Sequence, residues 1–154
     1  MPRKSVKENK NIYFQSREKA ELTREAAAEV TFLSKDRIER IEAKNFIPHP
    51  DEVLSMAKAY KDPILVNQFC TCECPIGKKY IPRVDDSELA KIVLQIMDSV
   101  NGLSENRDRL ISIAADGIID ENEKPDFQNI CAQLENISTA ATTLKFWMEK
   151  KLED

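Results

Sequence analysis

Residues 22–42 read LTREAAAEVTFLSKDRIERIE, and this stretch decides how the rest of the chain is organised. Thr23 and Ser34 carry hydroxyls that can accept hydrogen bonds from the free amides at a helix start, so each predicts an N-cap. The stretch therefore predicts two short helices. Their connection, roughly residues 30–33, is too short for antiparallel packing, so the helices are expected to cross steeply, as in a helix-turn-helix.

The second predicted helix separates apolar from charged side chains. Ile38 and Ile41 lie three positions apart and are expected to face the core. The outward positions near the start of this helix are those from which side chains of a helix-turn-helix enter a major groove. They are Lys35, Asp36, Arg37, Glu39 and Arg40.

These charged residues suit different parts of DNA. The forked guanidinium groups of Arg37 and Arg40 match guanine edges, whereas Lys35 suits a phosphate. Asp36 or Glu39 can accept a hydrogen bond from a cytosine amino group. Together they predict a surface that reads base sequence.

The first helix of the pair offers a second kind of contact. Thr23 and Arg24 stand at its start and are placed for phosphate contacts. The alternative for all of these charges is an ordinary solvated helix face with pairs within each helix.

The composition is that of a soluble globular protein. The chain has 154 residues, of which 42% are hydrophobic and 32% charged, enough for a core in one or two compact units. No window approaches the roughly 20 apolar residues of a membrane span, and no apolar run follows the basic N-terminus. We therefore expect a cytoplasmic location and no membrane partner.

Charge is distributed unevenly along the chain. Residues 1–50 hold eleven Lys or Arg and eight Asp or Glu, a balance of +3, whereas residues 51–154 hold twelve and nineteen, a balance of −7. The net charge of −4 argues against a general nucleic-acid coat. The helix-turn-helix lies in the basic part, behind a predicted basic arm over residues 1–10 that contains Arg3, Lys4, Lys7 and Lys10. A solvated leader is the alternative for this arm.

The pattern predicts an all-α fold, because only three glycines and few alternating apolar runs occur. Residues 11–74 are expected to form one domain of five helices, with Pro50 and Pro63 opening the last two. His49 is expected at the N-cap before Pro50. Residues 75–85, with two prolines and a glycine, predict a linker.

Residues 86–154 are expected to form an antiparallel hairpin of long helices. Apolar residues recur at threes and fours over residues 86–115, which predicts one helix of about 28 residues. Gly117 then suits a helix end, and a second long helix follows. The apolar stripes are wide enough to need a further partner. A second copy forming a four-helix bundle is preferred, and cover by the N-terminal domain is the alternative.

Other candidate sites are weaker. Cys70, Cys72 and Cys74 alternate with other residues, a spacing that fits zinc poorly, so reduced thiols are the default and a metal or cluster the alternative. Cys131 lies on an apolar stripe and is expected in the core. The acidic residues around Asp120 lack the pattern of a calcium loop. No enzyme active site, cofactor site or small-molecule substrate is predicted.

The chain resembles the phage-repressor and Cro family of helix-turn-helix regulators, also called the xenobiotic-response-element family. The resemblance covers about residues 10–70. It is carried by Leu22-Thr23-Arg24-Glu25, Ala27-Ala28-Glu29, Ser34, Ile38, Arg40-Ile41-Glu42, Lys44, Pro48, Leu54 and Met56-Ala57-Lys58-Ala59-Tyr60. Thr31-Phe32 stands where that family commonly has a glycine. The remainder more loosely resembles the tails of regulators from mobile elements of anaerobic Gram-positive bacteria, through Cys-Pro-Ile-Gly at residues 74–77.

This resemblance implies a five-helix DNA-binding domain that reads duplex operators as a dimer, with Lys44 joining the DNA-binding residues. The primary hypothesis is a sequence-specific transcriptional regulator. One alternative is a protein-interaction module that keeps the fold without binding DNA strongly, motivated by Asp36 and Glu39. Another is a metal-responsive or redox-responsive regulator that uses Cys70 to Cys74.

Overall fold

The structure, a computed structural model, describes residues 10–152. Over this range it contains nine α-helices and no strand, which confirms the all-α prediction. In the same range no helix is long and apolar enough to cross a membrane. The predicted basic arm, apart from Lys10, lies outside the described residues. The helices are α1 (Ile12–Lys19), α2 (Arg24–Thr31), α3 (Lys35–Glu42), α4 (Pro50–Ala59), α5 (Ile64–Cys72), α6 (Pro75–Tyr80), α7 (Leu89–Glu105), α8 (Arg107–Ala114) and α9 (Lys124–Leu152).

The chain divides into two compact units. The described part of the first is residues 10–81, with α1–α6, and the second is Pro82–Leu152, with α7–α9. The core of the first unit draws one to three side chains from each of its first five helices. Its fully buried members include Tyr13, Ala27, Ile38, Ile41, Val53, Met56 and Leu65.

Helix starts in the first unit follow the predicted caps. The side chains of Thr23 and Ser34 accept hydrogen bonds from the amides of Ala26 and Arg37, each three residues on. His49 is the N-cap of α4, and Pro50 occupies the first helical position, where a missing N–H costs nothing. These predictions are confirmed.

Residues 75–80, predicted as part of a linker, instead form helix α6. Cys74 caps it, with its Sγ accepting from the Gly77 amide at 3.5 Å, and Pro75 fits its first position. A Cβ at Gly77 would lie 2.1 Å from the Cys70 carbonyl oxygen. Glycine at this position therefore lets α6 pack directly on α5.

The single helix predicted over residues 86–115 was wrong, because the chain breaks at Asn106 into α7 and α8. The Asn106 side-chain amide donates to the Gly102 carbonyl at 2.9 Å and to Gln133 Oε1 at 3.4 Å. The Asn106 backbone amide is shared between the Gly102 and Leu103 carbonyls at 3.3 and 3.2 Å, so the side chain competes with it for the Gly102 carbonyl. Such competition favours a helix end.

Helices α7 and α9 run antiparallel in the second unit. Near one end Gly102 lies against Gln133, whose Nε2 would be 3.2 Å from a Cβ at that glycine. Near the other end the Lys150 ammonium is 2.8 Å from Asp86. Ile92 of α7, Ile113 of α8 and Ile130 of α9 are buried. Gly117, after α8, has φ +74°, the conformation predicted for it.

Candidate nucleic-acid interface

The turn between α2 and α3 is closed by a phenylalanine in the left-handed region. Phe32 has φ 58° and ψ 22°, and its side chain is 91% exposed. Thr31 beside it is buried, and its hydroxyl donates to the Ala27 carbonyl at 2.6 Å. Ser55 of α4 donates to the Thr31 carbonyl at 2.7 Å. The fold thus keeps a left-handed turn without a glycine and fastens it to α4.

Helix α3 turns its apolar side inward, as its spacing predicted. Ile38 and Ile41 are fully buried. The side chains of Lys35, Asp36, Glu39 and Arg40 are left exposed. Because one face is fixed in the core, the opposite face is presented with little freedom to rotate.

A buried charge network holds the C-terminal end of α3. Glu42 accepts from Arg17 Nε at 2.5 Å, from Arg17 Nη2 at 3.1 Å and from Arg24 Nε at 2.8 Å. The side chains of Arg17 and Glu42 are only 8% and 2% exposed. Arg17 also donates to the Leu22 carbonyl at 2.7 Å. This network ties together α1, the start of α2 and the end of α3.

Sequence reasoning assigned no role to Arg17 and did not separate Glu42 from its exposed neighbours. A signal was present, because Glu42 follows Ile38 by four positions and so shares its inward face. A carboxylate on such a face implies a buried cationic partner. The network also engages Arg24, which was predicted to contact phosphate; its Nη1 lies 3.5 Å from Glu39.

Arg37, predicted to read guanine, is engaged within the protein. Its Nε and Nη2 donate to the two carboxylate oxygens of Glu52 at 2.6 and 2.7 Å. Its guanidinium lies 3.8 Å from the centre of the Phe46 ring. Glu52 also accepts from the His49 backbone amide at 2.7 Å, which caps α4. Arg37 therefore braces α3 against α4 and the loop between them.

The same contacts set the ionisation of Glu52. The hydrogen bond from Arg37 lowers the pKa of this carboxyl below its usual value, against a smaller opposing effect of burial. Glu52 accordingly stays ionised and keeps Arg37 occupied at neutral pH.

The remaining predicted residues differ in how free they are. Lys35 pairs with Glu25 of α2 at 2.5 Å, on an exposed surface where water weakens such pairs. Thr23 is exposed at the start of α2 while its hydroxyl caps that helix. Lys44, just beyond α3, is exposed and has φ 58°. Among residues 10–152, no carboxylate lies within ion-pair distance of Arg40 or Lys44.

The cysteine cluster lies where α5 ends. Cys70 and Cys74 are half-buried against the core of the first unit, and Cys72 is exposed. Burial raises the pKa of the Cys70 thiol, which makes it a poorer nucleophile. In the described part of the chain, no group of three His, Cys, Asp or Glu side chains is arranged to hold a metal ion. The redox alternative remains a prediction.

The exposed side of α3 thus carries Arg40 and two acids, and Lys44 lies just beyond its end. Neither of these two basic residues is paired with a carboxylate in the described part of the chain. The helix is fixed in the core by two isoleucines and braced at both ends by ion pairs. No protein-family model, curated protein or solved structure matched the chain.

Proposed function

We propose that this protein is a transcriptional regulator that binds duplex DNA through α2 and α3, with α3 in the major groove. The observation that carries the proposal is the rigid presentation of α3. Ile38 and Ile41 fix one side of it, and on the other side Arg40 has no carboxylate of residues 10–152 within ion-pair distance. A helix held in this way can present side chains to base edges in one register. The proposal keeps the expected kinship to the phage-repressor and Cro family.

The contacts within the protein refine the roles of the basic residues. Arg40 is the side chain best placed to donate two hydrogen bonds to a guanine. Arg37 positions α3 through Glu52 instead of reading a base. Lys35, Arg24 and Lys44 supply positive charge to phosphates, and Thr23 lies beside them.

The two acids of α3 are expected to influence which base pairs this helix selects. Asp36 and Glu39 are exposed and repel phosphates, which lowers affinity for random duplex. Either acid can accept a hydrogen bond from a cytosine amino group. We therefore expect a half-site rich in G·C pairs, and weak binding by a single copy. A homodimer formed through the C-terminal helices would combine two half-sites.

Selection of bound sequences from random duplex DNA tests this function. We expect an enriched motif with two related half-sites. Arg40→Ala should then weaken binding to the enriched site by about 1–3 kcal/mol and relax preference at one position. Arg83→Ala provides a matched control, because Arg83 is an exposed arginine of the second unit. No enrichment, or equal affinities for the two variants, would contradict the proposal.

The acidic surface of α3 favours one second candidate, a protein-interaction module on the same scaffold. Its surface would include Asp36, Glu39 and the exposed ring of Phe32. The salt dependence of binding to random duplex separates the two functions. A DNA-binding protein gains affinity steeply as salt is lowered, whereas an interaction module stays unbound.

A further inference from the structure

Helix α7 carries a row of exposed apolar side chains beside the row that faces α9. Ile92 is buried, and Ile96, Ser99 and Leu103 continue its side at half-buried positions. The exposed row is Leu89, Val93, Met97 and Val100, of which Met97 is 52% exposed. Three of its members directly follow residues of the inward row.

Helix α9 repeats this arrangement. Its side toward α7 includes Gln133, which lies against Gly102, and buried Ala140. One position after these come exposed Leu134 and Ala141, and Met148, 50% exposed, continues the row. The three are spaced by seven residues, the repeat of helices that pack lengthwise on a partner.

The two exposed rows lie on the same side of the α7–α9 pair. One residue corresponds to a rotation of about 100° around a helix axis. Because α7 and α9 are antiparallel and face each other, the residue that follows an inward-facing residue lies on the same side of the pair in both helices. The rows therefore merge into one apolar face, defined here as Leu89, Val93, Met97, Val100, Leu134, Ala141 and Met148 and called the hairpin face.

The hairpin face is symmetric about one level of the pair. On α9, Leu134 and Met148 lie seven residues to either side of Ala141. On α7, the row from 89 to 100 has its midpoint between residues 94 and 95. The contacts of Gly102 with Gln133 and of Asp86 with Lys150 place residues 94–95 opposite Ala141. Both rows are thus centred at the same height, as required by a two-fold axis that lies in the plane of the interface and crosses the helices at right angles.

The face is large enough for a dimer. Helix α7 has 17 residues. At a rise of 1.5 Å per residue it is about 25 Å long, and two adjacent helices are about 20 Å wide. The footprint is then about 500 Å² per copy, or about 1,000 Å² buried in all, the lower bound of a specific interface. Helix α9, with 29 residues, extends further.

We propose that the hairpin face binds a second copy of this chain, with a two-fold axis at Ala141 and the two α9 helices antiparallel across it. The small Ala141 side chain lets the helices approach at the axis. Leu134 of one copy then packs on Met148 of the other, and the α7 row of one copy packs on the α7 row of the other. This arrangement rests on the dimer included in the proposed function and gives it a defined interface, which can be tested without DNA.

Sedimentation equilibrium of the full chain without DNA tests the interface. We expect a mass of about twice the 17.6 kDa of one chain. Ala141→Glu should return the protein to a monomer, because it brings two carboxylates together at the axis. Ala132→Glu is the matched control: Ala132 is an exposed alanine of α9, nine residues away and so on the opposite side of the helix. A monomeric wild type, or a dimer that survives Ala141→Glu, would overturn the proposal.

Cross-linking tests the direction of the helices. In a background with the four cysteines changed to serine and helical content checked by circular dichroism, Ala141→Cys should be joined to its copy by a short bis-maleimide. Leu134→Cys should not, because the axis holds it about 14 residues of helix, about 21 Å, from its copy. Efficient cross-linking of both variants would indicate parallel helices and overturn the antiparallel arrangement. A wild-type protein that forms the dimer but does not bind DNA would contradict the proposed function and not the interface.

Discussion

Two arginines converge on one buried carboxylate at the end of α3. Glu42 is enclosed by Arg17 and Arg24, and it accepts three hydrogen bonds from them. Charges in a protein interior are tolerated only when paired, since removal from water costs several kcal/mol per ion. The position of α3 therefore depends on a buried ion pair, Arg17 with Glu42, which the partly exposed Arg24 completes.

Glu42→Gln should lower the free energy of unfolding by about 3–5 kcal/mol, because it leaves the buried guanidinium of Arg17 without its counter-charge. Urea denaturation followed by circular dichroism measures this change. Glu18→Gln is the control, since Glu18 pairs with Lys10 on the surface and should change stability by less than about 1 kcal/mol. Similar effects for both variants would contradict a role for the buried network.

Tyr60 gives the first unit a stability change at high pH. Its buried hydroxyl has no hydrogen-bond partner among residues 10–152, and burial, followed by the nearby Glu42, raises its pKa to about 12. The unfolded chain loses this proton near pH 10. The contribution of the buried Tyr60 hydroxyl to the free energy of unfolding is therefore complete below about pH 10, and it is lost as the pH rises from about 10 to about 12.

Tyr60→Phe should remove this part of the alkaline loss and leave stability at pH 7 unchanged or slightly higher, because no hydrogen bond disappears. Unfolding curves of both proteins from pH 8 to pH 12 provide the measurement. Burial also raises the pKa of Tyr13, whose hydroxyl donates to Glu73, so the difference between the two proteins isolates Tyr60. If the free energies of unfolding of the two proteins fell in parallel over this pH range, Tyr60 would not be the source of the alkaline loss.

At the scale of the element, the α2–α3 turn pairs a strained backbone with a wholly exposed ring. Phe32 occupies the left-handed region, which costs a non-glycine residue roughly 1–2 kcal/mol, and its side chain recovers little by burial. The Thr31 and Ser55 hydrogen bonds hold this conformation.

Phe32→Gly should raise the free energy of unfolding by about 0.5–1 kcal/mol, because relief of strain exceeds the added flexibility of the unfolded chain. The same urea assay measures it. Glu29→Gly is the comparison: Glu29 is exposed inside α2, and glycine there should destabilise by about 1 kcal/mol. Destabilisation by Phe32→Gly would show that the ring packs on something in solution.

The elements show what sequence can and cannot supply. Thr23, Ser34 and Pro50 act within one helical turn, so their caps were predictable from local sequence. The break at Asn106 depends partly on Gln133, 27 residues away, so the apolar pattern around residue 106 could not predict it. Arg37 pairs with Glu52 across the loop between α3 and α4. Its position on α3 therefore predicted an outward-facing side chain but not the ion pair that engages it.

At the scale of the whole molecule, the proposed dimer would join two weakly binding DNA-binding units through the hairpin face. Under the proposed function, each copy offers few unpaired cations near α3 among residues 10–152, and Asp36 and Glu39 would oppose its approach to DNA. Linking two copies makes the second half-site contact intramolecular, which raises overall affinity without a new contact.

Ala141→Glu should therefore weaken binding to a two-half-site operator by at least tenfold while leaving affinity for an isolated half-site unchanged. Fluorescence anisotropy of labelled duplexes measures both, and Ala132→Glu should behave as the wild type. Equal losses on both duplexes would mean that the substitution disturbs the DNA-binding unit itself.

The aromatic residues are divided between the units in a way that gives each its own optical signal. The chain has one tryptophan and three tyrosines. Trp147 belongs to α9, whereas Tyr13, Tyr60 and Tyr80 all belong to the first unit. Selective excitation of the indole thus follows the second unit alone, and the tyrosine signal follows the first unit once the overlapping tryptophan contribution is subtracted. Whether the units unfold together or in sequence can be observed in a single unlabelled sample.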